Sequence, residues 1–146
     1  MFILDNKTGN ITLIQGDTGT ISITDLPTNA DRTNEFLFFA FLDSNLNIVQ
    51  GSEVSVNLNN LKSEDDKEFF PEIKFFIPSH STDKLTVARG DDGYAEYYYG
   101  IKHCYTEGLN KHEDTLLLSE NADASVLNTV TVYPMRVSGY TGETDG

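Results

Sequence analysis

Single alternation of apolar and polar residues runs through most of this chain, in short stretches that clusters of turn-forming residues keep interrupting. Ile21 and Ile23 fall to one side while Thr20, Ser22 and Thr24 fall to the other, and Val54, Val56 and Leu58 alternate with Glu53, Ser55 and Asn57. A strand shows successive side chains to opposite faces, so such runs bury one face and wet the other. Helical periodicity is almost absent. The turn cluster Asp5-Asn6-Lys7-Thr8-Gly9-Asn10 separates Phe2-Ile3-Leu4 from Ile11-Thr12-Leu13-Ile14 as a hairpin would, and Gln15-Gly16-Asp17-Thr18-Gly19 follows at once. Further strands are predicted over Ile73 to Ile77, closed by Pro78, over Tyr94 to Tyr105, over Thr115 to Leu118 and over Leu127 to Val137. Pro134 has no N–H to give to a ladder and predicts an edge or a bulge for the last of these. Roughly eight strands with frequent turns predict an all-β fold: an antiparallel β-sandwich in the immunoglobulin style, with a small antiparallel β-barrel as the alternative.

One run breaks the alternation. From Phe36 to Leu42 every residue is apolar, with Phe36, Phe38, Ala40 and Leu42 on one face and Leu37, Phe39 and Phe41 on the other. Such a strand either lies under additional structure or contributes to a subunit interface. Phe36, Phe38, Phe39 and Phe41 are therefore candidate interface residues, joined by Tyr140 in the C-terminal segment. The alternating runs predict a core of Ile21, Ile23, Val54, Val56, Phe75, Ile101 and Val132.

Length and charge narrow the function classes. The 146 residues suit one domain, read here as 1–137, followed by a Gly-containing tail over 138–146 expected to be mobile in isolation. The acidic stretch Ser63-Glu64-Asp65-Asp66-Lys67-Glu68 has the composition of one helical turn, ended by Pro71. Cys104 is the only cysteine, so an intramolecular disulfide is excluded. Ten Lys and Arg against 23 Asp and Glu give a net charge of −13, which repels a phosphate backbone, and no nucleic-acid partner is expected. No run approaches the ~18 to 20 apolar residues of a membrane span, and the N-terminus lacks a basic region, so a soluble product made in the cytoplasm is expected, with no membrane partner.

The chemically capable residues do not assemble into a recognisable site. Ser79-His80-Ser81 sits beside a proline turn with no nucleophile elbow around it. His103 and Cys104 are neighbours on one predicted strand, so they face opposite ways and read as packing residues. His112-Glu113-Asp114 has one histidine and no partner at a metal-ligand spacing. The acidic loops Glu64-Asp65-Asp66 and Asp91-Asp92 do not follow the EF-hand spacing and read as solvated carboxylates. Arg89-Gly90-Asp91 spells an integrin-binding tripeptide and Asn6-Lys7-Thr8 and Asn10-Ile11-Thr12 spell glycosylation sequons, all read as chance without a secretion signal. No catalytic residue, metal or cofactor is expected. The aromatic strands offer one rival: Tyr98, on the face opposite Tyr97 and Tyr99, with Tyr105 and Tyr140, has the makings of a sugar-binding platform.

Several phrases carry a resemblance. Ile11-Thr12-Leu13-Ile14-Gln15-Gly16-Asp17-Thr18, Ile73-Lys74-Phe75-Phe76-Ile77-Pro78, Thr82-Asp83-Lys84-Leu85, Tyr97-Tyr98-Tyr99-Gly100-Ile101-Lys102, Glu113-Asp114-Thr115-Leu116 and Thr129-Val130-Thr131-Val132-Tyr133-Pro134 occur in this order. In wording and order the chain resembles β-sandwich structural proteins of bacteriophages and prophages, most of all the N-terminal domains of baseplate and tail proteins. The resemblance spans Ile11 to about Val137. It implies a non-enzymatic virion structural or assembly subunit of the tail, baseplate, neck or capsid accessory layer, made in the host bacterial cytoplasm. Its implied partners are other virion proteins and further copies of itself, with a host-surface glycan as the alternative.

Overall fold

The computed structural model describes residues 1–61, 68–88, 93–120 and 125–135. Among the described residues nine strands form: β1 (Phe2–Leu4), β2 (Ile11–Ile14), β3 (Gly19–Ile23), β4 (Arg32–Leu42), β5 (Val54–Asn57), β6 (Ile73–Ile77), β7 (Ala95–Glu107), β8 (Asn110–Leu116) and β9 (Thr129–Tyr133). Seven of them make one curled sheet in the order β1-β2-β9-β7-β4-β5, with β8 attached to β7, while β3 and β6 pair as a separate two-stranded sheet.

The fold is β-rich, as the alternation predicts, but it departs from a clear immunoglobulin sandwich in three ways. The large sheet is mixed, because β2 runs parallel to β9, with Ile11 opposite Val130 and Leu13 opposite Val132. A parallel pair needs a long crossover, and here the connection takes in almost every other element. The second layer holds only two strands, and the large sheet curls like half a barrel without closing. The residues after Pro78 include one helical turn, α1 (Ser79–Thr82), whose Ser81 and Thr82 are buried. Thr82 Oγ1 donates to the Asp17 carbonyl at 2.8 Å, which ties this turn to the loop before β3.

β7 organises the large sheet. Its 13 residues are long enough to serve two neighbours along one edge: Ala95 to Tyr98 pair with β9, and Ile101 to Glu107 pair with β8. Its other edge pairs with β4 from Tyr98 to Glu107. β9 is consequently flanked on both sides, by β2 and β7, which corrects the edge or bulge position expected from Pro134. Pro134 follows the last paired residue, Tyr133, so its missing N–H breaks no ladder bond.

The small sheet covers the inner face of the large one. Ile21, Ile73, Phe75 and Ile77 from β3 and β6 meet Leu37, Phe39, Phe41, Ile101 and Val132, all of them buried. Phe39 lies edge-on to Phe41, 4.9 Å between centroids, and also approaches Phe75 and the ring of Tyr99. Ile21, Ile23, Phe75, Ile101 and Val132 thus occupy the core in the expected phase, while Val54 and Val56 are only partly buried against it because β5 is the last strand of its sheet.

Candidate functional site

Strand phase sorts the two-sided strand β4. Leu37, Phe39 and Phe41 face inward with no exposure, covered by the chain's own second sheet. Phe39 and Phe41 are core residues, and an interface role for them is corrected. Phe36, Phe38 and Leu42 face the other way and are half-buried. The register sets Phe36 opposite Cys104, Phe38 opposite Lys102 and Leu42 opposite Tyr98. Phe36, Cys104, Thr106, Lys111 and Glu113 line a shallow groove of about 560 Å³ on this side. Burial, then the Glu113 carboxylate, push the Cys104 thiol up, with Lys102 opposing them.

At the other end of β7, Tyr94 and Tyr133 stand with ring centroids 6.1 Å apart, 43 % and 41 % exposed. Tyr98 is half-buried on the same outer phase as Tyr94. Tyr105 is not part of this surface, contrary to the platform expected from sequence. It is buried on the inner phase, with Arg32 3.9 Å from its ring centroid and His112 stacked at 4.8 Å. Tyr140 lies outside the described residues, as do the acidic loops Glu64-Asp65-Asp66 and Asp91-Asp92, the Arg89-Gly90-Asp91 tripeptide and the 138–146 segment.

The inner phase of β4 and β7 also holds a polar cluster that the sequence reading missed. Glu35 has no exposure and His103 is buried, with Glu35 Oε2 2.7 Å from His103 Nε2. Thr28 Oγ1 donates to the other carboxylate oxygen at 2.7 Å. A β-bulge between Thr33 and Phe36 lies beside this pair. Asn34, at φ 51°, takes the extra position, as asparagine does more readily than branched residues. Glu35 already shares the inward phase of Leu37, Phe39 and Phe41, and the inserted residue brings Arg32 to the same side. From Tyr105, the hydroxyl reaches Asp114 at 3.2 Å, and Arg32 also meets Glu107 at 3.3 Å. Burial first, with Asp114 adding and Arg32 opposing, pushes the Tyr105 phenol up. The signal for His103 was present, since it shares the inward phase of Tyr99 and Ile101; nothing local pointed to Glu35 as its partner.

The remaining motifs separate. His80 is exposed while Ser81 is buried, so this hydroxyl and imidazole do not converge. In His112-Glu113-Asp114, the outer residues share the phase of Tyr105 and His103, and Glu113 pairs with Cys104 on the opposite phase. Among the described residues, no group of three or more His, Cys, Asp and Glu is placed to hold a metal ion. No helix of the described residues is long and apolar enough to cross a membrane.

Fold and surface together define a β-rich domain with one covered and one partly apolar sheet face. Comparison with protein-family models, curated proteins and solved structures gives no match.

Proposed function

We propose that this chain is a non-enzymatic structural or assembly subunit of a bacteriophage particle, present in several copies in the tail, baseplate, neck or capsid accessory layer and made in the host bacterial cytoplasm. The observation that carries the reading is the outer face of β4 and β7, where Phe36, Phe38, Leu42 and Tyr98 are only half covered by their own chain. An apolar stripe on a sheet face is an aggregation hazard unless a neighbour uses it. The buried acid–imidazole pair of Glu35 with His103 lies beneath the sheet and serves packing better than substrate chemistry. On this reading the two facing sheets are a reduced, irregular relative of the immunoglobulin-like sandwich. The phage resemblance of the strand phrases supports the class of particle.

Incorporation tests the reading. Phe38→Glu should leave a folded, soluble protein that no longer enters particles in the corresponding phage; normal incorporation of Phe38→Glu, or particles that never contain the wild-type chain, would sink it. A glycan- or receptor-binding module of the same particle is the second reading, favoured by the exposed Tyr94 and Tyr133 pair. A sugar array on which binding is lost with Tyr133→Ala would move the conclusion there.

A further inference from the structure

β8 leaves one long edge without a strand. It pairs with β7 and has no second neighbour among the described strands. The turn Gly108-Leu109 joins Glu107 to Asn110, with Gly108 at φ 62° as a type II′ turn requires at its first central residue. In a two-residue hairpin the flanking pair exchanges both ladder bonds. Counting from it, Asn110, His112, Asp114 and Leu116 direct their backbone groups at β7, and Lys111, Glu113 and Thr115 direct theirs outward. The far side of the sheet agrees with this phase: the Phe41 carbonyl of β4, which the same count turns away from β7, accepts from Val49 N–H at 2.8 Å.

We infer that β8 pairs antiparallel with β8 of a second copy, about a two-fold axis through His112. Residues opposed across an antiparallel ladder share a face, so a two-fold axis normal to the sheet must pass beside a residue that opposes itself. Four residues at the centre of β8 are available. Centring on Lys111, Glu113 or Asp114 sets like charges directly opposite each other. Centring on His112 sets Lys111 against Glu113 twice, in the hydrogen-bonded positions, and Asn110 against Asp114. It also lays Leu109, fully exposed at the hairpin tip, opposite Thr115 of the second copy. Opposite charges across a ladder stabilise it and like charges oppose it, so the strand's own sequence selects one register.

The charged edge also selects against other partners: a lysine and two carboxylates deter indiscriminate pairing while fitting one copy of themselves. A single short ladder buries less than the roughly 1,600 Å² of a standard interface, and each copy carries −13. Pairing is therefore weak in dilute solution and belongs where copies are held close together. It stands on the geometry of β8 and takes its purpose, joining two copies in a particle, from the assembly reading.

Cysteine trapping tests it in the full chain. In the inferred register the two His112 Cα atoms lie about 4.5 Å apart, within the disulfide range. In a Cys104→Ser background, which removes the thiol opposite position 113, His112→Cys should give a covalent dimer under mild oxidation of concentrated protein, whereas the background alone, Lys111→Cys and Glu113→Cys should not. Lys111→Glu in the His112→Cys background should cut trapping about tenfold or more, and adding Glu113→Lys should restore it. Circular dichroism confirms that each variant is folded. A dimer through Glu113→Cys, no dimer from a folded His112→Cys, or failure of the charge swap to rescue would overturn the inference. Trapping without particle incorporation would leave the pairing standing and remove the virion reading; incorporation blocked by Phe38→Glu without trapping would do the reverse.

Discussion

Glu35 is a carboxylate in a place where carboxylates are seldom found, with Thr28 and His103 on its two oxygens. Burying an ionisable group is tolerated only when its partners are in place, and removing one partner leaves the other desolvated. His103→Leu should therefore lower unfolding stability by about 3 kcal/mol, and Glu35→Gln, which keeps hydrogen-bonding capacity, by less, as read from urea midpoints. Equal midpoints for His103→Leu and wild type would show that the pair contributes nothing net. Tyr99 sets a different dependence. Its hydroxyl donates to the Gly9 carbonyl, and burial pushes the phenol well above its usual value of 10.0. Above pH about 10 the unfolded chain then releases a proton that the folded chain keeps, so the stabilisation is fully present below that pH and is lost as pH rises. The melting temperature should fall steeply between about pH 10 and 11.5, and Tyr99→Phe should flatten that fall while losing about 1 kcal/mol at neutral pH. An equally steep alkaline fall in Tyr99→Phe would place its origin elsewhere, with Tyr105 the next candidate.

At the level of strands, the inward phase of β3, β6 and β7 predicts large losses on truncation. Phe75→Ala and Ile101→Ala each empty a fully buried position and should cost ~2 to 5 kcal/mol in chemical denaturation; unchanged midpoints for both would mean the strands pack in another phase. These positions were legible in the sequence because a half-buried strand records its core face in its own alternation. What was not legible has no local record. β8 was expected to begin at Thr115, yet it begins at Asn110, because an edge strand that is polar on both faces shows no period. The parallel partnership of β2 with β9 is a choice of neighbour made across most of the chain, and alternation is silent on it. Arg32 reaches the Tyr105 ring only because the bulge at Asn34 reverses the phase that the run from Phe36 to Leu42 would extrapolate. Glu35 keeps the inward phase of Leu37 and Phe39, so its burial follows from the run itself, but its meeting with His103 depends on the pairing of β4 with β7, which has no local record.

For the molecule as a whole, β4 is the test of what the domain was built to cover. Its two faces carry the same chemistry, phenylalanine and leucine, but the small sheet covers one of them completely and leaves the other half-buried. If folding alone required the run from Phe36 to Leu42, both faces would carry comparable stability. If the outer face serves a neighbour, the two must separate in experiment. Phe39→Ala removes a ring that meets Phe41, Phe75 and Tyr99, and should cost about 3 to 5 kcal/mol in the isolated chain. Phe38→Ser removes a ring that solvent already reaches, and should cost no more than about 1.5 kcal/mol, since only the covered part of its apolar area contributes. Association should rank the other way, with folded Phe38→Ser showing the lower apparent mass at high protein concentration in sedimentation. A Phe38→Ser chain that loses as much stability as Phe39→Ala while sedimenting like wild type would make the outer stripe an ordinary part of the fold, and the assembly reading would lose the observation that carries it.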